Sequence, residues 1–200
     1  MRMNRLRRIV TAVVCLWALS PVAMASPART YKITRTYSNV SFSIYKWMVF
    51  KEEGLFHEFD GEIRYDPVDP TRSHVNMTVN VGSIDTRVEN RDKTVRSDDF
   101  FDVDHYPTMT FTSTSVAAGT DNTLQVTGDL TIRGVTRRIT IPVKMLGRNT
   151  VPNVGELAGF EASFVIDRTE FGVNGTRWSG GKLVLSKEVA IHLTIGAVKE

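Results

Sequence analysis

The chain has 200 residues, of which 42% are hydrophobic and 24% charged, with 25 basic against 22 acidic side chains and a formal net charge of +3. Four of the basic residues and none of the acidic ones stand in the first 25 positions, so the remainder carries 21 basic and 22 acidic groups, a net of −1. No run of five Lys or Arg survives there, which argues against nucleic-acid binding, and the length fits one domain that can bury a core without disulfide staples.

Residues 1–25 read as a secretory signal. Arg2, Arg5, Arg7 and Arg8 form a basic start, and residues 9–19 form an apolar core too short to cross a bilayer comfortably. Ala23-Met24-Ala25 then gives the small-x-small pattern of a cleavage site before Ser26. Cleavage near Ala25 is expected, leaving residues 26–200 as one periplasmic or secreted domain. The single cysteine, Cys15, lies inside the signal. The mature chain is therefore expected to hold no disulfide and no thiolate nucleophile or ligand.

The mature chain alternates apolar and polar residues. Val75, Met77, Val79 and Val81 occupy every second position, as do Ile139, Ile141, Val143 and Met145. The pattern returns at Phe160, Ala162, Phe164 and Ile166, and at Val189, Ile191, Leu193 and Ile195. A strand points successive side chains to opposite faces, so each run has one apolar face. Turn signals at Asp66-Pro67, Asp121-Asn122, Arg133-Gly134, Gly147 and Gly155 separate the runs. The spacing predicts strands near 31–36, 39–48, 55–65, 73–82, 107–117, 123–133, 136–147, 158–168 and 187–198, paired as an antiparallel meander. Segment 177–185 is ambiguous.

The period breaks between Asp85 and Asp104. Thr86-x-x-Glu89 matches a capping box, and Val88 and Val95 would share one side of a short helix. Ser97-Asp98-Asp99 before Phe100-Phe101 offers a second helical turn. These segments are expected to form a short helical cap over one end of a rolled sheet, or else a surface loop.

Little in the chain suggests catalysis. No Gly-x-Ser-x-Gly elbow is present, and His57, His74, His105 and His192 show no triad spacing. His-Glu-x-x-His and cysteine pairs are missing too, so no catalytic residue and no metal ligand is expected. The acidic cluster Asp98, Asp99, Asp102 and Asp104 lacks the glycine and glutamate of a calcium loop, and turn chemistry explains it better. Aromatic residues are spread over nearly every segment. They either fill a core or line a channel, and since small barrels are usually filled by side chains, periodicity alone favours a packed interior.

Several ordered blocks resemble the YceI-like, lipid/polyisoprenoid-binding family. Gly54-Leu55-Phe56-His57-Glu58-Phe59-Asp60-Gly61 follows its Gly-x-Phe-x-x-Phe-x-Gly pattern. Ser83-Ile84-Asp85-Thr86, Asn90-Arg91-Asp92 and Arg96-Ser97-Asp98-Asp99-Phe100-Phe101-Asp102 reproduce its central signature. Gly128-Asp129-Leu130-Thr131-Ile132-Arg133-Gly134 and Asp167-Arg168-Thr169-Glu170-Phe171-Gly172 match later blocks. The similarity covers about Tyr31 to Val198. It implies an all-β, lipocalin-like antiparallel barrel of eight strands with a short helical cap, and an apolar tunnel holding a long amphiphile. Lys46 stands where the family often carries a histidine, and Thr94-Val95 where it usually has His-Leu; both changes remove groups that would meet a ligand head.

The expectation is a non-enzymatic carrier or sequestering protein for a polyisoprenoid, an isoprenoid quinone or a fatty-acid-like molecule, with no cofactor beyond the bound lipid. The tunnel candidates are Phe42, Ile44, Phe56, Phe59, Val79, Val81, Phe100, Phe101, Met109, Phe111, Leu130, Ile132, Phe164 and Phe171. Arg91, Arg96 and Arg168 are candidates either for polar contacts at the mouth or for bracing the cap. The resemblance also suggests a homodimer, and a lipid cargo suggests transient membrane contact. The alternatives are a secreted hydrolase of a small amphiphile and a packed interaction barrel without ligand. Amino-terminal sequencing of the exported protein is expected to begin at Ser26, and a mature chain that keeps Met1 would contradict the signal assignment.

Overall fold

In the computed structural model, which describes residues 28–182 and 184–200, the alternating segments are strands. They are β1 (Arg29–Ile33), β2 (Asn39–Lys46), β3 (Phe50–Phe56), β4 (Phe59–Tyr65), β5 (His74–Asn80), β6 (Ile84–Asp85), β7 (Thr108–Ala118), β8 (Thr123–Ile132), β9 (Val135–Val151), β10 (Gly155–Asp167) and β11 (Leu185–Lys199). The signal segment lies outside the described residues.

Three of the strand paths are broken once. β1 and β2 share one edge of β11, with Ile33 opposite Ala197 and Asn39 opposite Thr194. β3 and β4 form the next path, Phe56 facing Val40 and Ile63 facing Tyr31. β5 and β6 form the third. Counted as paths, the sheet has eight antiparallel strands, each paired to its sequence neighbour, and β11 closes back onto the first. This is the rolled antiparallel sheet that the alternation implies, with the eight strands that the family resemblance implies.

The breaks lie side by side and bond to one another. Arg35–Tyr37 and Val81–Ser83 are single 3-10 turns, and His57 and Glu58 separate β3 from β4. The His57 N–H donates to Ser83 O at 3.3 Å, and the Asn80 N–H to Glu58 O at 2.8 Å. The Ser38 hydroxyl donates to Thr34 O at 2.7 Å and accepts from the Gly196 N–H at 2.9 Å. Such irregularities bend a sheet locally while keeping its backbone groups paired, which helps a long barrel close. The β8–β9 connection is a two-residue hairpin turn with Arg133 and Gly134 at φ 50° and 72°, as the sequence signal indicates.

The cap differs in detail from its expectation. Helix α1 (Glu89–Arg96) starts at Glu89, and the predicted capping box does not form. Thr86 instead gives its N–H and hydroxyl to the carboxylate of Asp92, the buried residue of the helix, at 2.8 and 2.6 Å. Val95 packs on the core, whereas Val88 lies before the helix and stays exposed. Residues 97–101 form hydrogen-bonded turns, with the Phe100 N–H on Ser97 O at 3.0 Å, and Asp99 gives its carboxylate to another segment. That segment is the four-residue helix α2 (Thr176–Ser179), which occupies part of the ambiguous stretch.

The turn at the opposite end of the barrel rests on Asp66, a fully buried residue. Its carboxylate accepts the N–H groups of Asp69 and Val68, each at 3.0 Å, with Arg72 Nε 3.3 Å away. These backbone bonds, of Asp69 first and Val68 next, hold its pKa below the ordinary carboxylate value. A lowered folded-state pKa stabilises the fold above the unfolded carboxylate value, and that stabilisation is lost as pH falls through the folded value. Melting temperature is expected to fall on acidification below about pH 4, and to fall less steeply in Asp66→Asn. Equal acid slopes in both proteins would contradict this role.

Candidate functional site

The inward faces do not meet at the barrel axis. They enclose two adjoining hollows, one of about 440 Å³ under the cap and one of about 170 Å³ deeper in the barrel. Phe42, Phe56, Met109, Ile132, Ile166 and Ile191 line both and form the neck between them. The deeper chamber is walled by apolar side chains, including Val79, Phe111, Leu130 and Phe164. Ile44, Phe100, Phe101 and Phe171 wall the larger one, whose mouth carries Lys46, Glu52, Arg91 and Trp178.

Close approaches to glycine set the aromatic rings against the wall. A Cβ at Gly54 would stand 2.5 Å from Phe42 Cζ, so the ring reaches over the β3 backbone only because that position is bare. Gly175 does the same for Phe100, at a positive φ of 64° that other residues rarely adopt. Phe42 and Phe56 have ring centroids 5.7 Å apart, and Phe56 meets Phe101 edge-on at 6.3 Å.

Polar groups near the mouth are used to hold the cap in place. Arg91 pairs with Glu52 across the mouth, and donates to Thr86 through Nε at 2.8 Å and through Nη2 to its carbonyl at 2.6 Å. Arg168 is buried and gives its N–H groups to the carbonyls of Ser186, Val173, Asn174 and Leu185, at 2.5 to 3.3 Å. Burial lowers its pKa from the ordinary guanidinium value, Asp167 opposing. Burial would raise Asp99, but the N–H groups of Arg177 and Trp178, at 3.0 and 2.7 Å, hold its pKa below the ordinary value. Asp99 thereby seats Trp178 at the chamber mouth. Asp98 pairs with Arg177 and Asp102 with His105, so these carboxylates organise turns.

Fourteen of the seventeen residues singled out from the sequence line a chamber. Phe59 and Val81 do not: both are buried in the packed cluster beside the strand breaks, behind the chamber wall. Arg96 does not reach a chamber either, because it turns to donate to the Ile84 carbonyl at 2.6 Å. Lys46, which the family resemblance marks as a departure near the ligand head, does stand at the mouth, whereas Glu52 and Trp178 beside it and Ile166, Ile191, Leu193 and Ile195 on the wall are not among the sequence candidates. The last four lie in alternating runs already visible in the sequence, where aliphatic wall residues carry no signal that sets them apart from core.

Two serine–histidine pairs form that linear spacing did not suggest. His74 Nδ1 lies 2.9 Å from Ser113 Oγ, and His192 Nδ1 lies 3.2 Å from Ser163 Oγ. Neither pair lines a chamber, and Ser113 Oγ already accepts the Val75 N–H at 2.8 Å. Among the described residues no group of three His, Cys, Asp or Glu is placed to hold a metal.

A closed antiparallel barrel with a hollow apolar interior and a charged mouth places the chain in the class of lipocalin-like barrels. The chain belongs to the YceI-like family, whose domain matches residues 31–197. It is 40% identical over 157 residues to Protein YceI of Escherichia coli, covering 76% of this chain and 80% of that one. It is 37% identical over 201 residues to a UPF0312 protein of Pseudomonas paraeruginosa, covering 98% and 100% of the two chains. Among solved structures, BcnA of Burkholderia cenocepacia superposes with a TM-score of 0.75 at 28% identity, over 83% of this chain and 99% of that one. A polyisoprenoid binding domain from Saccharophagus degradans shares the fold, with a TM-score of 0.65 at 18% identity, over 85% and 98% of the two chains.

Gly54→Ala should push the Phe42 ring from the wall into the neck. The expected result is a loss of about 1–3 kcal/mol in denaturant unfolding, the usual cost of overpacking. An unchanged midpoint would mean that the ring has room to move aside.

Proposed function

We propose that the chain binds a long amphipathic lipid without turning it over, as a carrier or sequestering protein of the periplasm or the extracellular space. The observation that carries this reading is the pair of apolar chambers joined at a neck, the larger of them reaching a charged mouth under the cap. The larger, at about 440 Å³, falls within the roughly 300–1,000 Å³ of small-molecule sites. The tail would run through the neck towards Phe111 and Phe164, and the head would stay among Lys46, Glu52 and Arg91. A polyisoprenoid, an isoprenoid quinone or a fatty-acid-like molecule has this form. The name of the Saccharophagus domain favours the first.

The driving force is apolar area leaving water. A guest that hides about 500 Å² gains on the order of 12 kcal/mol gross. Lost translational and rotational freedom offsets several kcal/mol of that, leaving micromolar or tighter binding within reach. Lys46, Thr94 and Val95, the positions where this chain departs from the family pattern, all line the larger chamber. Head-group preference is the property those changes would alter. A homodimer and passing contact with a membrane suit a carrier that must load and unload. The serine–histidine pairs sit away from the chambers, which favours carriage over hydrolysis.

Native mass spectrometry of protein purified from its own host is expected to show a lipid adduct that organic extraction removes. Met109 lines both chambers, so Met109→Trp should block the neck and weaken uptake of a long prenol from detergent by about tenfold, with secondary structure retained. Undiminished uptake by a folded Met109→Trp protein would refute the proposed tail path.

A further inference from the structure

The hairpin joining β2 to β3 breaks the usual rules for a turn. Trp47 and Met48 adopt left-handed backbone, with φ of 51° and 58°, where Gly or Asn is normal. The comparable positions of the β8–β9 turn carry Arg133 and Gly134, and the β7–β8 turn has Asp121 and Asn122. Bulky residues held there cost conformational energy, and such strain clusters at functional segments. The turn also leaves its apolar side chains in water. Trp47 is 56% exposed, Met48 69%, Val49 70% and Phe50 58%.

The tip is continuous with the chamber mouth. Lys46, next to the tip, lines the larger chamber, and its ammonium lies 4.4 Å from the Trp47 ring centroid and 5.7 Å from that of Trp178. The Trp47 N–H donates to Val184 O at 2.7 Å, which brings the tip beside the segment that starts β11. Val88 and Trp178, on the mouth itself, are 48% and 45% exposed. Six of the twelve large apolar side chains left exposed among the described residues therefore belong to this one rim. Lys46 adds positive charge at the mouth, and Lys182 follows α2, its N–H donating to Ser179 O at 3.2 Å.

We infer that this hairpin docks the barrel on a lipid bilayer, with Trp47, Met48, Val49 and Phe50 dipping into the interface and the chamber mouth facing the membrane. Tryptophan is suited to that depth, having an apolar body with one polar N–H. The lysines suit an anionic surface, and the strained turn holds the apolar tip outward instead of letting it fold back. The inference deepens the carrier reading, since a guest leaving the bilayer would enter the chamber without crossing water.

The test uses the exported protein with Trp178→Phe, so that Trp47 is the only tryptophan of the mature chain. Vesicles of phosphatidylethanolamine and phosphatidylglycerol should pull it down and shift Trp47 emission to the blue, and vesicles of phosphatidylcholine should do so more weakly. In the otherwise unaltered chain, Trp47→Ser with Met48→Ser should weaken vesicle partition about tenfold. That double variant should keep the melting temperature and take up a prenol from detergent as before. Vesicle binding that is absent, or indifferent to the double variant, overturns the inference. So does a concentration-dependent homodimer that the variant abolishes while vesicles are ignored, since a second copy would then be the occupant. Prenol uptake is measured without membranes, so its failure beside intact vesicle binding would remove the carrier reading and leave the docking surface standing.

Discussion

Closure of the sheet is the constraint on which everything else in this molecule depends. β11 meets β10 on one edge and both β2 and β1 on the other, so the last strand completes the ring. An open sheet would present two unpaired edges and expose its apolar face. Near the seam, the buried Tyr31 hydroxyl donates to Glu156 at 2.5 Å, and Arg29 donates to the same carboxylate at 2.8 Å. The Tyr31 bond and then Arg29 hold the Glu156 pKa below its ordinary value; burial first, and then Glu156, raise that of Tyr31. The polar cluster fixes the end of the barrel opposite the cap.

Closure alone does not make a hollow. A ring of eight strands leaves an interior that side chains can just fill. Here several large rings lie along the wall instead of across the axis. Phe42 lies over Gly54, and the Phe111 ring lies over Gly128, where a Cβ would stand 2.5 Å from it. The space these rings vacate is the neck and the deeper chamber. Phe100 of the cap and Phe171 of the 3-10 turn after β10, both buried, then close the larger chamber and leave its mouth to Trp178, Lys46 and the Arg91–Glu52 pair. The same residues thus decide fold stability and the shape of the space a guest would occupy.

The barrel itself was legible in the sequence, because a buried face at every second residue fixes strands and register together. The two-residue turn at Arg133-Gly134 was legible for the same local reason. The three strand breaks were not, since they depend on bonds between distant segments such as Ser38 to Gly196 and His57 to Ser83. The start of α1 was misread because Thr86 is bonded by Asp92 from inside the helix, a choice that burial makes and the capping pattern does not encode. Phe59 and Val81 share the alternation of the wall residues but sit at the breaks, where the chain turns away from the axis. Most of the mouth was hidden because Trp178 comes from a segment far in sequence from the β2–β3 hairpin that carries Lys46 and Glu52. Periodicity alone favours a packed interior, and the hollow departs from it because the outcome depends on which glycines lie beneath which rings.

The central claim is that the space between the rings belongs to a guest. A high-resolution crystal structure of the protein, purified from its own host without delipidation, measures this directly. Continuous elongated density running from Arg91 past Met109 to Phe164 is the predicted result. Side chains closed across the neck, with no elongated density on either side, would contradict the account.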